Sequence, residues 1–260
     1  MKSAWAARKD ICDFIAIHPL PADANKDEAV AKHRAFIEEV VRTPIGRNRF
    51  LKFVQYVQTD AATSAITALG VPAPRKMIMS HIVVEDPEHM REVLCDSDIR
   101  FLVNKAKITV PGYGQQSTMS TLDTVSQRGS ATTTAEDNYQ TAFAVFRIPN
   151  DVPSQLFEQK IRSFADVVMG SSFVRERTLD YTLWSQNSAV VSEVTNHIAL
   201  PAPERFAIIK YEASTPPAVT MMGSTEVQDL VVNELMGGEG PLGPTGDIFV
   251  AEKSVILEKI

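Results

Sequence analysis

The sequence predicts an α+β fold in which two tandem βαββαβ units pack sheet against sheet into a barrel within one chain. Strand and helix patterns occur in the order β-α-β-β-α and recur in that order after a polar stretch. The tripeptide Pro-Ala-Pro ends a small-residue segment at Pro72–Pro74 and again at Pro201–Pro203. Each predicted sheet keeps one bare apolar face, and two such faces cover each other when the sheets pack together.

The first unit, residues 1–108, is predicted to contain three strands and two helices. Ile15 and Ile17 alternate with other side chains as in a strand, Pro44 ends the first helix, and Asp86 followed by a proline begins the second helix. The predicted elements are, in order, a strand over Asp13–Leu20, a helix over Asp27–Arg42, a strand over Arg47–Gln58, a strand over Met77–Val84 and a helix from Asp86.

Residues 109–138 are rich in Gly, Ser, Thr and Gln, a composition typical of a linker. The last strand of the first unit is placed within this segment, over Thr118–Ser126. The second unit, residues 139–260, repeats the pattern. Its glycine-rich stretch, Gly237–Gly246, is predicted to be a loop without a phosphate site, because it lacks the Lys-Ser/Thr of a phosphate-binding loop and follows a predicted helix instead of a strand. Its predicted elements are strands over Thr141–Ile148, Arg177–Gln186, Arg205–Ala213 and Asp247–Ile256, and helices over Pro153–Met169 and Glu226–Met236.

The two Pro-Ala-Pro tripeptides are 129 residues apart (201 minus 72). We interpret this spacing as the length of an internal repeat, because element order and element lengths agree with it. At this spacing Phe14 corresponds to Phe143, His18 to Arg147 and His81 to Lys210. The first helices align one residue closer, so that His33 corresponds to Ile161.

The βαββαβ unit is the ferredoxin-like arrangement, with four antiparallel strands and both helices on one face of the sheet. The segment DPEHMREVLCDSDIRFLV (Asp86–Val103) resembles the second-helix segment of EthD-type domains. Most of both halves of the chain resembles the dimeric α/β-barrel superfamily, in particular chains with two fused EthD-like or antibiotic-monooxygenase-like repeats. This resemblance implies chemistry on a small molecule. It does not select the reaction, since the superfamily includes monooxygenases, decarboxylases, cyclases and haem-degrading enzymes.

Composition excludes several classes of function. With 26 Lys and Arg against 32 Asp and Glu, the formal charge of −6 argues against a nucleic-acid binder that works by bulk charge. Cys12 and Cys95 cannot form a disulfide framework, and the five histidines show no metal-binding spacing. No apolar run is long enough to span a membrane. We therefore expect a soluble cytoplasmic monomer or homodimer without metal or cofactor, whose only partner is an apolar small molecule.

Strand alternation selects the candidate site residues. The aliphatic faces, with Ile15 and Ile17 on one strand, are expected to pack on the helices, so that His18 and His81 point into the barrel. The predicted catalytic residues are His18, His81, Arg147 and Lys210. The predicted substrate-binding residues are Met77, Met79, Phe143, Asp180, Tyr181, Trp184 and Phe206. His33 lies within a helix among charged neighbours and is predicted to be a surface residue.

An apolar pocket with a few ionisable groups favours proton-transfer chemistry. The leading hypothesis is a cofactor-independent biosynthetic enzyme, a cyclase, lyase or isomerase, that acts on a polyketide- or terpenoid-derived molecule. One alternative is a cofactor-free monooxygenase or decarboxylase with a phenolic substrate. Another is a non-catalytic binding protein for a small molecule or for haem, with His18 or His81 as the axial ligand.

Overall fold

The computed structural model describes residues 6–7, 10–68, 70–129, 139–148, 151–201, 205–214, 225–230 and 246–260. Within these residues the fold is α+β, as predicted, and eight antiparallel strands form a closed barrel with helices outside it. The strands are β1 (Ala6–Ala7), β2 (Cys12–Pro19), β3 (Lys52–Thr59), β4 (Met77–Val84), β5 (Thr118–Arg128), β6 (Tyr139–Arg147), β7 (Thr178–Asn187), β8 (Phe206–Ser214) and β9 (Gly246–Glu258).

The strand order around the barrel is β5-β2-β4-β3-β9-β6-β8-β7, and β7 pairs with β5 to close it. The closing register runs from Thr121 opposite Asn187 to Arg128 opposite Asp180. Closure removes the free sheet edges that would otherwise pair with other chains, and the two-residue β1 adds to β5. The order of the first four barrel strands, β5-β2-β4-β3, is repeated by the last four as β9-β6-β8-β7.

Several helices begin after a residue whose side chain accepts a hydrogen bond from a free backbone N–H group of the first turn. The Asn25 side chain accepts a hydrogen bond from the Glu28 N–H, and the Asp86 side chain accepts one from the His89 N–H. None of the described helices combines the length and the apolar composition that crossing a membrane requires. They are α1 (Lys26–Arg42), α2 (Pro44–Arg49), α3 (Thr63–Ala68), α4 (Pro87–Cys95), α5 (Ser97–Thr109), α6 (Ser154–Gly170), α7 (Ser172–Arg177), α8 (Val191–Glu193, continued by a π-helical turn over Val194–Ile198) and α9 (Thr225–Leu230).

Two predicted elements differ from the observed ones. Residues Arg47–Arg49 are helical rather than extended, because Thr43 caps α2 and Pro44 occupies its first turn. The second predicted helix is divided at Asp96, whose side chain accepts the N–H groups that begin α5. Of the predicted linker, residues 130–138 lie outside the described residues, as do residues 231–236 of the last predicted helix and residues 237–245 of the predicted glycine-rich loop.

Successive side chains of each strand point alternately into the barrel and outward to the helices. Contrary to the prediction, Ile15 and Ile17 belong to the core inside the barrel, and Phe14, Ala16 and His18 face the helices. Both faces of this strand are apolar, so the alternation defines two faces without saying which one meets the helices. The inner core consists of Ile15, Ile17, Val54, Tyr56, Met77, Met79, Leu122, Phe143, Val145, Trp184, Phe206, Ile208, Phe249 and Ala251.

Each half contributes a connection that packs on the helices of the other half. The β3–β4 connection places Ala62, Ile66 and Val71 in the outer core of the second half. The β7–β8 connection places Val190, Val194, Ile198 and Leu200 in the outer core of the first half. The outer core of the first half is therefore closed by a segment that comes from the second half.

Candidate functional site

A cavity of about 70 Å³ lies between the outward face of the first-half sheet and the helices α1, α4 and α5. Its walls are almost entirely apolar, and the β7–β8 connection covers one side through Ile198 and Leu200. Four residues with polar side-chain atoms line it, namely His18, His33, Ser80 and Tyr113. The apolar lining includes Ala16, Phe36, Ile37, Phe53, Ile82, Met90, Leu94, Val103 and Met119.

The His18 ring is held from two sides. Its Nδ1 lies 2.8 Å from the Ser117 hydroxyl oxygen, which also accepts a hydrogen bond of 2.9 Å from the Gly114 N–H. The ring stacks on Tyr113, with 4.6 Å between the ring centroids. The turn that brings Tyr113 and Ser117 to this position needs glycine, because Gly112 has φ +74° and a Cβ there would lie 2.7 Å from the Pro21 Cδ.

The His33 ring lies 4.7 Å from the His18 ring, measured between centroids. Gln55 Nε2 donates to His33 Nδ1 over 2.8 Å, so the proton of a neutral ring is carried by Nε2. That Nε2 is buried and has no hydrogen-bond partner among the described residues, and the same holds for the Ser80 hydroxyl oxygen. Buried polar groups normally have a partner, so two unpaired groups in one cavity make it the candidate site.

Burial keeps the cavity uncharged at neutral pH. It lowers the pKa of His18 from 6.5 to about 3. It also lowers the pKa of His33 well below its ordinary value, to which the neighbouring His18 contributes. The pKa of the Tyr113 phenol is raised by burial, so this group stays protonated. Neutral imidazoles in an apolar cavity can accept a proton from a substrate and can donate hydrogen bonds to the anion that forms.

His81, which was predicted to be catalytic, points into the barrel. We call the end of the barrel where it lies the His81 end. His81 Nε2 donates to Asp13 Oδ1 over 2.7 Å, and the Thr124 hydroxyl donates to Asp13 Oδ2 over 2.7 Å. Burial lowers the pKa of His81, although the bond to Asp13 opposes this shift. Lys210 lies at the same end, with its Nζ 3.4 Å from the carboxylate oxygens of both Asp180 and Glu212.

The remaining predicted site residues are distributed over the molecule. Trp184 packs against the His81 ring at 4.8 Å inside the barrel, where Met79 and Phe143 also lie. Met77, Arg147 and Phe206 line an opening at the opposite end, which we call the Arg147 end. Tyr181 faces outward into the second-half core, against Tyr211. The structure therefore does not bring the four predicted catalytic residues together, and it places His18 on the other face of the sheet from His81.

His33 is fully buried and is not the surface residue that its charged neighbours suggested. It lies four residues before Ile37 and seven before Val40, so it shares the buried stripe of α1 with them. This spacing is the signal in the sequence that could have identified His33. Tyr113 and Ser117 lie in a segment that was assigned to the linker, and no local pattern indicates their contact with His18.

No family model and no curated protein sequence matches the chain. Solved structures show the same fold at low sequence identity. A structure described as an anthrone oxidase-like protein is 8% identical, covers 98% of each chain and gives a TM-score of 0.57. A protein of Fusobacterium nucleatum named as a candidate monooxygenase is 8% identical, with 94% of this chain and 93% of that one covered and a TM-score of 0.52.

Proposed function

We propose that this chain is an enzyme that removes a proton from an apolar, enolisable or phenolic small molecule whose reacting group enters the cavity of about 70 Å³ between His18 and His33. The observation that carries the proposal is the pair of neutral, buried histidines in an otherwise apolar cavity, one of them with an unpaired Nε2. We assign His18 as the general base and His33 as the hydrogen-bond donor to the resulting anion.

The roles follow from the hydrogen bonds of the two rings. We assign the proton of the neutral His18 ring to Nδ1, from which Ser117 Oγ can accept through its second lone pair while it accepts from Gly114. With this tautomer His18 Nε2 is the proton acceptor. Gln55 directs the His33 N–H into the cavity. When His18 takes the proton, the anion lies between an imidazolium and the His33 N–H, and its negative charge offsets the burial that lowers the pKa of His18 in the free protein. The attraction of the anion for the imidazolium and for the N–H group is strong in an apolar environment.

We propose oxygenation as the reaction that follows. In this reaction the anion of an activated CH₂ group reacts with dioxygen, the carbon becomes a carbonyl and water is released, so that CH₂ and O₂ give C=O and H₂O. The names of the two solved structures with this fold, a candidate monooxygenase and an anthrone oxidase-like protein, support this choice. A cyclase, lyase or isomerase would begin with the same proton abstraction but would consume no oxygen.

We further propose that the barrel consists of two ferredoxin-like repeats of which only the first keeps a site. The repeated strand order supports two units. Ile15 and Phe143 both lie inside the barrel, so a spacing of 128 residues (143 minus 15) relates the first strands and replaces the predicted 129. On this basis the second half has apolar residues where the first has polar ones. At this spacing His18 corresponds to Phe146, His33 to Ile161 and Gln55 to Leu183. Ser80 corresponds to Ile209, 129 residues later (209 minus 80), because Ser80 lies opposite Gln55 as Ile209 lies opposite Leu183.

Oxygen uptake with anthrone as the probe substrate tests the proposal. The variants His18→Phe and His33→Ile adopt the side chains of the second half, and His197→Gln changes an exposed histidine as a control. We expect uptake by the parent and by the control, and a rate at least ~100-fold lower in the two cavity variants, as for loss of a general base. Turnover of anthrone without oxygen uptake would support the cyclase, lyase or isomerase class. Equal rates in all variants would refute the site.

A further inference from the structure

We propose that the opening at the Arg147 end of the barrel is a second binding site, which takes an amphipathic molecule that carries a carboxylate group. The opening has a volume of about 390 Å³. This is within the range of about 300–1,000 Å³ that small-molecule sites occupy. It combines an apolar floor with two guanidinium groups at its rim, a composition that suits a ligand with an apolar body and an anionic end.

The floor is formed by side chains that point into the barrel. Ile17, Met77, Val145 and Phe206 line the opening, and each of them is at least nine-tenths buried and belongs to the inner core. Thr118 also lines the opening, and its hydroxyl oxygen is buried without a hydrogen-bond partner among the described residues. An apolar ring or chain would therefore lie on the floor, and the Thr118 hydroxyl could form a hydrogen bond with a ligand.

The guanidinium groups are held in position by one buried carboxylate. Asp247 Oδ2 accepts from Arg75 Nε at 3.3 Å, from Arg75 Nη2 at 3.1 Å and from Arg147 Nη2 at 3.0 Å. The Arg75 backbone N–H donates to Asp247 Oδ1 at 3.0 Å. These bonds fix the orientation of both side chains before a ligand arrives, and such preorganisation lowers the cost of binding.

The Arg75 guanidinium has N–H donors that do not bond to Asp247. It carries five N–H donors, two of which bond to Asp247, and no described residue accepts the other three. The side chain is 47% exposed, so these donors can be reached from solvent. A carboxylate is the natural acceptor for adjacent N–H groups of one guanidinium.

The proposed site is separate from the His18–His33 cavity. Ile17 points into the barrel and lines the opening, whereas His18 points outward and lines the cavity, so β2 lies between the two. Ser117 is the residue that borders the opening and also bonds to His18. The two sites can therefore be tested with different variants.

Isothermal titration of the whole chain with 2-naphthoate, and with 2-naphthamide as the neutral probe of the same shape, tests the proposal. We expect saturable binding of the naphthoate to the parent, at least tenfold weaker binding to Arg75→Met, and an intermediate affinity for Arg75→Lys, which keeps the charge but not the planar fork. Arg100→Met, an exposed arginine elsewhere on the surface, is the matched control and should bind as the parent does.

Several results would overturn the proposal. The amide could bind as tightly as the naphthoate, the affinity of Arg75→Met could equal that of the parent, or no saturation could be seen at millimolar naphthoate. Loss of binding in His33→Ile with retention in Arg75→Met would place the naphthoate in the other cavity, against this proposal. Thr118→Val provides a second variant should Arg75→Met fold poorly, and weaker naphthoate binding is expected, whereas unchanged binding would again count against the site.

Discussion

Ser80→Val is expected to stabilise the protein and to lower its activity, because the substitution removes a polar group from the cavity and fills part of the space that the substrate would enter. The Ser80 hydroxyl is buried without a partner among the described residues and faces the cavity of about 70 Å³. Removing an unpaired buried polar group recovers about 1–3 kcal/mol, and the extra methyl group of valine adds about 0.8 kcal/mol where space is open. The sum, about 2 kcal/mol or more, corresponds to a rise in melting temperature of about 4–8 °C for a chain of this size.

Urea denaturation and calorimetry measure the stability, and oxygen uptake with anthrone measures the activity. Ser120→Val is the matched control, because Ser120 is equally buried but its hydroxyl accepts a 2.7 Å hydrogen bond from Gln186 Nε2. This control should lose about 1–3 kcal/mol, since the Gln186 amide would be left unpaired. A destabilised Ser80→Val chain, or a stabilised one with unchanged oxygen uptake, would contradict the role given to this cavity.

Three further predictions concern the two histidine environments and the connection that covers the cavity. Because the pKa of His18 falls from 6.5 to about 3 on folding, its contribution to the free energy of unfolding is complete above pH 6.5 and decreases as the pH falls toward 3. Between pH 7 and pH 5 the parent should therefore lose about 2 kcal/mol more than His18→Phe in urea titrations, and equal slopes would contradict this. Lys107 Nζ donates to the Ile198 carbonyl over 2.6 Å, so Lys107→Met should speed ligand release and proteolysis near residue 198, whereas Lys105→Met, at a surface ion pair, should change neither. Lys210→Met should lower the melting temperature because Glu212 loses a partner, but it should leave oxygen uptake unaltered. Loss of activity in this variant would instead favour the interior of the barrel as the active site.

The positions of the strands follow from local patterns, but the face that each strand buries does not. β4 was predicted over Met77–Val84 and is observed over the same residues, because its run of apolar residues ends at clear breaks. In β2, both sets of alternating side chains are apolar enough to be buried. The strand was therefore predicted correctly, but its two faces were assigned the wrong way round. His18 was predicted to face the barrel interior and is observed on the side of the helices.

The candidate site is harder to predict, because its parts are distant in the sequence. His18 and Ser117 are 99 residues apart, and His33 and Gln55 are 22 residues apart. Ile198, which covers the cavity, belongs to the second half of the chain. No motif links these residues, so only the folded chain shows that they meet. His33 is the exception, because its spacing from Ile37 and Val40 indicates a buried position on α1. Its charged neighbours nevertheless led to the prediction that it lies on the surface.

Proton removal from a substrate in the His18–His33 cavity is the step on which the proposed function depends. Mixing the protein with anthrone in the absence of oxygen, and recording the long-wavelength absorption band of the enolate anion, measures this step by itself. We expect the band with the parent and with His197→Gln, and its loss with His18→Phe and with His33→Ile. If the band is absent with the parent, or equally strong with all four proteins, the claim is wrong.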